Sequence, residues 1–123
     1  MAKFFDALFI VNKIILDNPN LILAGALGRI LLGIKPMDDV GDIDFVVYDE
    51  KDIPQDLIKS DMSNLPVKGD YTHYRKTIEG VKVCLFLIPE GNYVEVCGLK
   101  VQAKEEQLSW KNKFDKAKLC REK

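Results

Sequence analysis

The sequence predicts an α/β domain, α+β in its detail, in which a small mixed β-sheet is flanked by helices. Three observations carry this. Apolar residues recur at helical spacing near the N-terminus, where Phe4, Leu8, Val11 and Ile15 lie three and four apart. Several short runs, "LILA", "DIDFVVY", "YTHYRKTI" and "VKVCLFLI", read as strands. Helical and strand-like segments then alternate along the chain before two adjacent strands and a last helix, which gives one mixed sheet covered by helices.

Residues 3–17 read as an amphipathic helix, and "DNPN" ends it, because Pro19 cannot continue a helix and Asn18 and Asn20 suit a turn. "LILA" is a short apolar strand that runs directly into Gly25. "ALGRILL" is a short helix closed by Gly33, and "KPMDDVG" is a loop. In "DIDFVVY" the alternation at the start puts Asp42 and Asp44 on one face and Ile43 and Phe45 on the other. "DEKDIPQDLIKSDM" reads as a loop and a short helix with Pro54 near its first turn, and "SNLPVKGD" as another loop. "YTHYRKTI" and "VKVCLFLI" are joined only by Glu79-Gly80, so they form a β-hairpin. "GNYVEV" gives one more short strand. The last segment, from "AKEEQ" onward, is a charged helix with Leu108, Trp110, Phe114 and Ala117 on its buried side.

The chain has 123 residues, the size of one domain, and residues 1–123 are expected to fold as a single unit without staples. Hydrophobic residues are 47% and charged residues 30%, which excludes a disordered composition. No apolar run approaches the ~20 residues of a membrane span, and the N-terminal segment is interrupted by Asp6, Lys13 and Asp17. Cys84, Cys97 and Cys120 make an odd count without a C-x-x-C, so reduced thiols and a cytoplasmic location are expected. Net charge is −1 but unevenly spread: residues 38–61 hold nine acids and two lysines, and residues 100–123 hold eight basic residues and four acids. Two solvated faces account for this; so does a cation site facing a phosphate-attracting segment.

The candidate site lies in "LILAGALGR…DIDF". Glycine lets a backbone approach a ligand closely, and a helix start offers free N–H groups suited to phosphate. Asp42 and Asp44 point the same way with Cα atoms ~7 Å apart, close enough to share one or two hard cations. Aspartate is disfavoured in strands, so two at one strand start need a reason. His73, the one histidine, reads as a surface or packed residue rather than a catalyst, and Arg75 and Lys76 on its strand read as a solvated edge or as groups reaching phosphates.

This order of strand, glycine, helix and Asp-hydrophobic-Asp strand resembles the nucleotidyltransferase (polymerase-beta-like) superfamily in its minimal, stand-alone or toxin–antitoxin form. Gly25 matches the first glycine of the motif, Arg29 the arginine four residues on, and Asp42 and Asp44 the metal-binding pair. "GVKVCLFLI" resembles the third-carboxylate strand, and "GLKVQAKEEQLSWKNKF" the segment that follows it, so the likeness covers nearly the whole chain. It implies transfer of a nucleoside monophosphate from an NTP to a hydroxyl acceptor, on protein, small molecule or RNA, with magnesium as cofactor, one ion or two. A minimal domain would also rely on a partner chain to grip the acceptor.

Three positions depart from the pattern. Ala26 stands where a serine or glycine is expected, Gly41 where many small members have serine, and Cys84 where the third carboxylate belongs. A buried thiol is a poor ligand for a hard cation. Glu95, in "YVEVC", is the candidate replacement. The expected set is therefore Asp42, Asp44 and Glu95 for catalysis, Asp42 and Asp44 for metal, and Gly25, Ala26 and Arg29 for the nucleotide phosphates. The alternative is a catalytically degenerate member kept as a binding, regulatory or assembly module. A third reading, nucleic-acid binding by the basic C-terminus alone, sits poorly with a pI near 5.8.

Overall fold

The computed structural model describes residues 3–59 and 71–122, with side chains as far as residue 113. Helix α1 spans Phe4–Asp17, strand β1 Ile22–Ala24, helix α2 Gly25–Leu31 and strand β2 Asp42–Val47. A 3₁₀ turn at Glu50–Asp52 precedes β3, Ile58–Lys59. Then come β4, Thr72–Ile78, β5, Val81–Leu87, β6, Tyr93–Val96, β7, Leu99–Gln102, and α3, Lys104–Glu122.

Among the described residues seven strands form one sheet, in the order β3-β4-β5-β2-β1-β7-β6. Strands β2 and β5 are parallel, as are β1 and β7; the remaining neighbours are antiparallel. This is the mixed sheet with flanking helices that the sequence predicts. The main core lies on one face, where α1 and α2 cover Leu23, Ile43, Phe45, Val83, Leu85 and Val101. A smaller cluster on the other face gathers Ile22, Ala24, Val46, Tyr71 and Ile88, with Trp110 of α3 packed against it. Tyr71 and Trp110 meet edge to face at 5.4 Å between centroids, the preferred geometry of two aromatic quadrupoles.

Helix α1 ends where "DNPN" predicts. The Asn18 amide donates to Ile14 O at 3.0 Å, its backbone N–H donates to the Ile14 and Ile15 carbonyls, and Pro19 follows. The buried face is rotated from the expected one: Phe4, Ala7, Ile10 and Val11 are buried, while Leu8 and Ile15 lie at its margin. Two strands depart from expectation. The short helix expected after Pro54 is replaced, over its described part, by a turn and the two-residue β3, which pairs with Arg75 and Tyr74 of β4. Strand β7, inserted between β1 and β6, follows "YVEV" through a tight turn at Cys97-Gly98. On α3, Leu108 is exposed and Gln107 is the buried residue; Phe114 and Ala117 lie outside the described side chains.

Candidate functional site

Strand β1 passes into α2 with no intervening loop, and Gly25 makes the turn with φ +64°. A side chain is excluded there twice over. The left-handed conformation disfavours one, and a Cβ would stand 2.1 Å from Asp44 Oδ2. The antiparallel register sets Ala24 opposite Asp44, so the Asp44 carboxylate rests against the backbone of Gly25. Gly28, one turn on, gives α3 its seat. A Cβ there would lie 3.0 Å from Gln107 Nε2, which donates to Gln102 O at 2.9 Å.

The neighbouring strands extend the carboxylate pair into rows across one face of the sheet. Asp42 pairs with Lys82 of β5, which pairs with Thr77 of β4; Asp44 pairs with Cys84, which pairs with Arg75. Phe86 and His73 continue the face one row further, with ring centroids 4.8 Å apart. The register thus brings Cys84 to the side of Asp44, where the sequence motif would have the third carboxylate.

The electrostatics follow from this placement. Burial, then the charge of Asp42, pushes the Asp44 carboxyl up to about 6, and Arg29 and Lys82 pull it partly back. Cys84 is buried, and burial followed by the Asp44 charge pushes its thiol up to about 12. It is therefore a neutral S–H at physiological pH, a poor base and nucleophile and a poor partner for a hard cation. Burial and the Lys82 and Arg75 charges hold His73 below its ordinary value, so its ring is neutral as well.

Of the expected residues, the structure brings Gly25, Arg29, Asp42 and Asp44 together. Arg29 acts on Asp44 through space, and no ion pair within 4 Å joins them. Ala26 turns toward the main core. Glu95 is not brought to the pair. It sits on β6 at the sheet edge, opposite Lys100 of β7, and three strand steps separate β6 from β2. At ~4.8 Å per step that is roughly 14 Å, far beyond a shared cation. Sequence reasoning did not single out Lys82; its signal is its place two residues before Cys84, level with Asp42 in the parallel register. Arg75 faces the site row, whereas its neighbour Lys76 turns away and bonds Asp56.

A magnesium ion fits Asp42 and Asp44, since it takes one or two carboxylates and fills its shell with water and phosphate. The pair stands without further ligands: no group of three or more His, Cys, Asp or Glu placed to hold a metal occurs among the described residues.

The mixed seven-strand sheet with its helices has a counterpart among solved structures. The chain is similar to the crystal structure of a candidate nucleotidyltransferase from Thermotoga maritima, with a TM-score of 0.63 over 99% of this chain and 94% of that one, at 20% sequence identity. No protein-family model matches the chain, and no curated protein matches it. No described helix is long and apolar enough to cross a membrane.

Proposed function

We propose that the chain is a catalytically reduced nucleotidyltransferase-fold module that binds a nucleoside triphosphate with magnesium and does not transfer the nucleotide. The observation that carries this reading is the neutral Cys84 thiol beside Asp44. Asp42 and Asp44 would hold the cation, and Gly25 would let the phosphates approach the backbone. Arg29, Lys82 and Arg75 would supply positive charge around them. A bound magnesium ion neutralises the carboxylates and the phosphate oxygens and so fixes the triphosphate in place. Among the described residues no third acidic side chain joins the pair to take the proton from an attacking hydroxyl.

Calorimetry with each NTP, with and without magnesium, tests the binding half. Binding that needs magnesium and disappears in Asp42→Asn is expected. An assay with label on the α-phosphate tests the other half. Transfer to any acceptor that depends on Asp42 would overturn the degenerate reading.

A second reading, magnesium-dependent transfer of a nucleoside monophosphate from an NTP to a hydroxyl of protein, small molecule or RNA, rests on the same carboxylate pair. Asp44 is kept half-buried beside Asp42 although its carboxyl is pushed up to about 6, an arrangement that costs stability unless a cation uses it. The same labelled-transfer assay decides between the two.

A further inference from the structure

Helix α1 carries a second apolar line on the side away from the core. Phe5, Phe9 and Leu16 are 72%, 60% and 84% exposed, although the helix already buries Phe4, Ala7, Ile10 and Val11. A single exposed apolar residue is ordinary, but these three are aligned. With exposed Asn12 they stand at 5, 9, 12 and 16, the four-three-four spacing of a coiled-coil seam. Asp6 and Lys13 each follow a seam residue by one position, so both lie on the same flank, seven residues apart. Lys13 is held at the seam, its Nζ 4.8 Å from the Phe9 ring centroid, and its contact with Glu79 is a long, exposed 3.8 Å pair.

The flanking charges choose the occupant. When two copies of a helix pack antiparallel about a two-fold axis, each flank meets the same flank of the other copy. Asp6 then faces Lys13 of the second copy, and Lys13 faces its Asp6. Phe5 packs near Leu16 of the second copy, and Phe9 near its Asn12, on either side of the axis. A parallel pair would instead set this flank against the opposite one, which carries Leu8 and Ile15 and no charge. Opposed macrodipoles favour the antiparallel arrangement too. We propose that α1 is a homodimer interface in which two copies of the chain pack this seam antiparallel, with Asp6 and Lys13 fixing the orientation.

The area sets the strength. Taking about 200 Å² for a phenylalanine, the exposed parts of Phe5 and Phe9 remove roughly 500 Å² from water across the pair. Leu16 and the Lys13 stem bring the interface near the lower end of specific association, about 1,000 Å². The dimer is therefore weak, reversible and concentration-dependent.

Sedimentation equilibrium on the full chain tests this. A monomer–dimer equilibrium is expected, and Phe9→Glu should be monomeric with its circular dichroism unchanged. Asp6→Lys and Lys13→Glu each turn both flank contacts repulsive, which should weaken self-association about tenfold. An equimolar mixture of those two variants restores opposite charges at both contacts, so heterodimers should form where neither variant pairs with itself. A wild-type chain that is monomeric at about 500 µM would overturn the proposal. So would a dimer that survives Phe9→Glu, or charge variants that self-associate like wild type.

Discussion

Strands β2 and β5 lie side by side, parallel and in register, yet they equip the same face with opposite chemistry. At one row β2 offers Asp42 and β5 offers Lys82; at the next β2 offers Asp44 and β5 offers Cys84. The β2 side offers two carboxylates, and the missing side chain of Gly25 leaves room for that of Asp44. The β5 side supplies a positive charge and a neutral thiol. Binding a charged nucleotide and activating a hydroxyl are separable tasks, and in the proposed reading the chain keeps residues for the first and has a thiol in place of the acid for the second.

Cys84→Asp should have the largest effect, because it writes the β2 chemistry onto β5. If the thiol alone silences the site, labelled nucleotide transfer should rise about 100-fold or more above the wild-type level, the usual contribution of a positioned base. The variant should also be less stable without a cation, because a third carboxylate joins Asp42 and Asp44, and more strongly stabilised by magnesium than wild type. A variant that gains neither transfer nor magnesium stabilisation would show that β5 differs from β2 in more than this one side chain.

Gly25→Ala attacks the β2 half. It adds a Cβ at 2.1 Å from Asp44 Oδ2 in a left-handed backbone, and should lower unfolding free energy by about 2–4 kcal/mol in urea titrations. Adding Asp44→Ala to it removes the steric part and leaves the backbone part, so the double variant should recover about half of the loss. Additive losses would mean that the carboxylate does not press on the glycine.

The difference in legibility between these halves is physical. Strand, Gly25, helix and Asp42-Ile43-Asp44 were readable because a glycine at a strand end and paired aspartates at a strand start are both unusual and local. The hairpin at Glu79-Gly80 was readable for the same reason. Strand β7 was not, although its turn has nearly the same backbone: Cys97 and Gly98 have φ of 51° and 79°, and Glu79 and Gly80 51° and 78°. The difference is what surrounds the turn. "LKVQ" is four residues long and passes at once into the charged segment of α3, leaving no periodicity to see. The two-residue β3 gave still less. Glu95 was misplaced because its local pattern of acid between apolar residues is right, while its distance from β2 is set by β7, the strand that was missed. The outward seam of α1 was hidden behind its inward one, since a helix rich in apolar residues satisfies more than one period.

Asp44→Asn should sharpen the contrast through pH. The folded-state pKa of Asp44, about 6, is above its ordinary 3.8, so this group's contribution to stability is fully present below about pH 3.8 and is lost as pH rises through 6. At pH 7 the ionised carboxylate therefore weakens the fold, by on the order of 2–3 kcal/mol. The amide keeps the shape without the charge, so the variant should be more stable than wild type at pH 7 and nearly equal to it at pH 4. Magnesium at pH 7 should stabilise wild type and leave the variant unmoved. An Asp44→Asn chain that is less stable at pH 7 would mean that Arg29 and Lys82 outweigh burial, and that the pair is a structural ion cluster rather than a cation seat.

Glu95→Gln carries the smallest expected effect and isolates the geometry of the sheet. Glu95 is exposed on the edge strand, and its cross-strand neighbour Lys100 already lies against the Tyr93 ring, 5.2 Å from the centroid. Loss of one exposed charge there should change stability by less than about 0.5 kcal/mol and leave magnesium-dependent nucleotide binding unaltered. The value of the variant is that its acid has the right local pattern and the wrong place. If nucleotide binding fell as it does in Asp42→Asn, β6 would have to lie beside β2, and both the sheet order and the assignment of the vacant position to Cys84 would fail together.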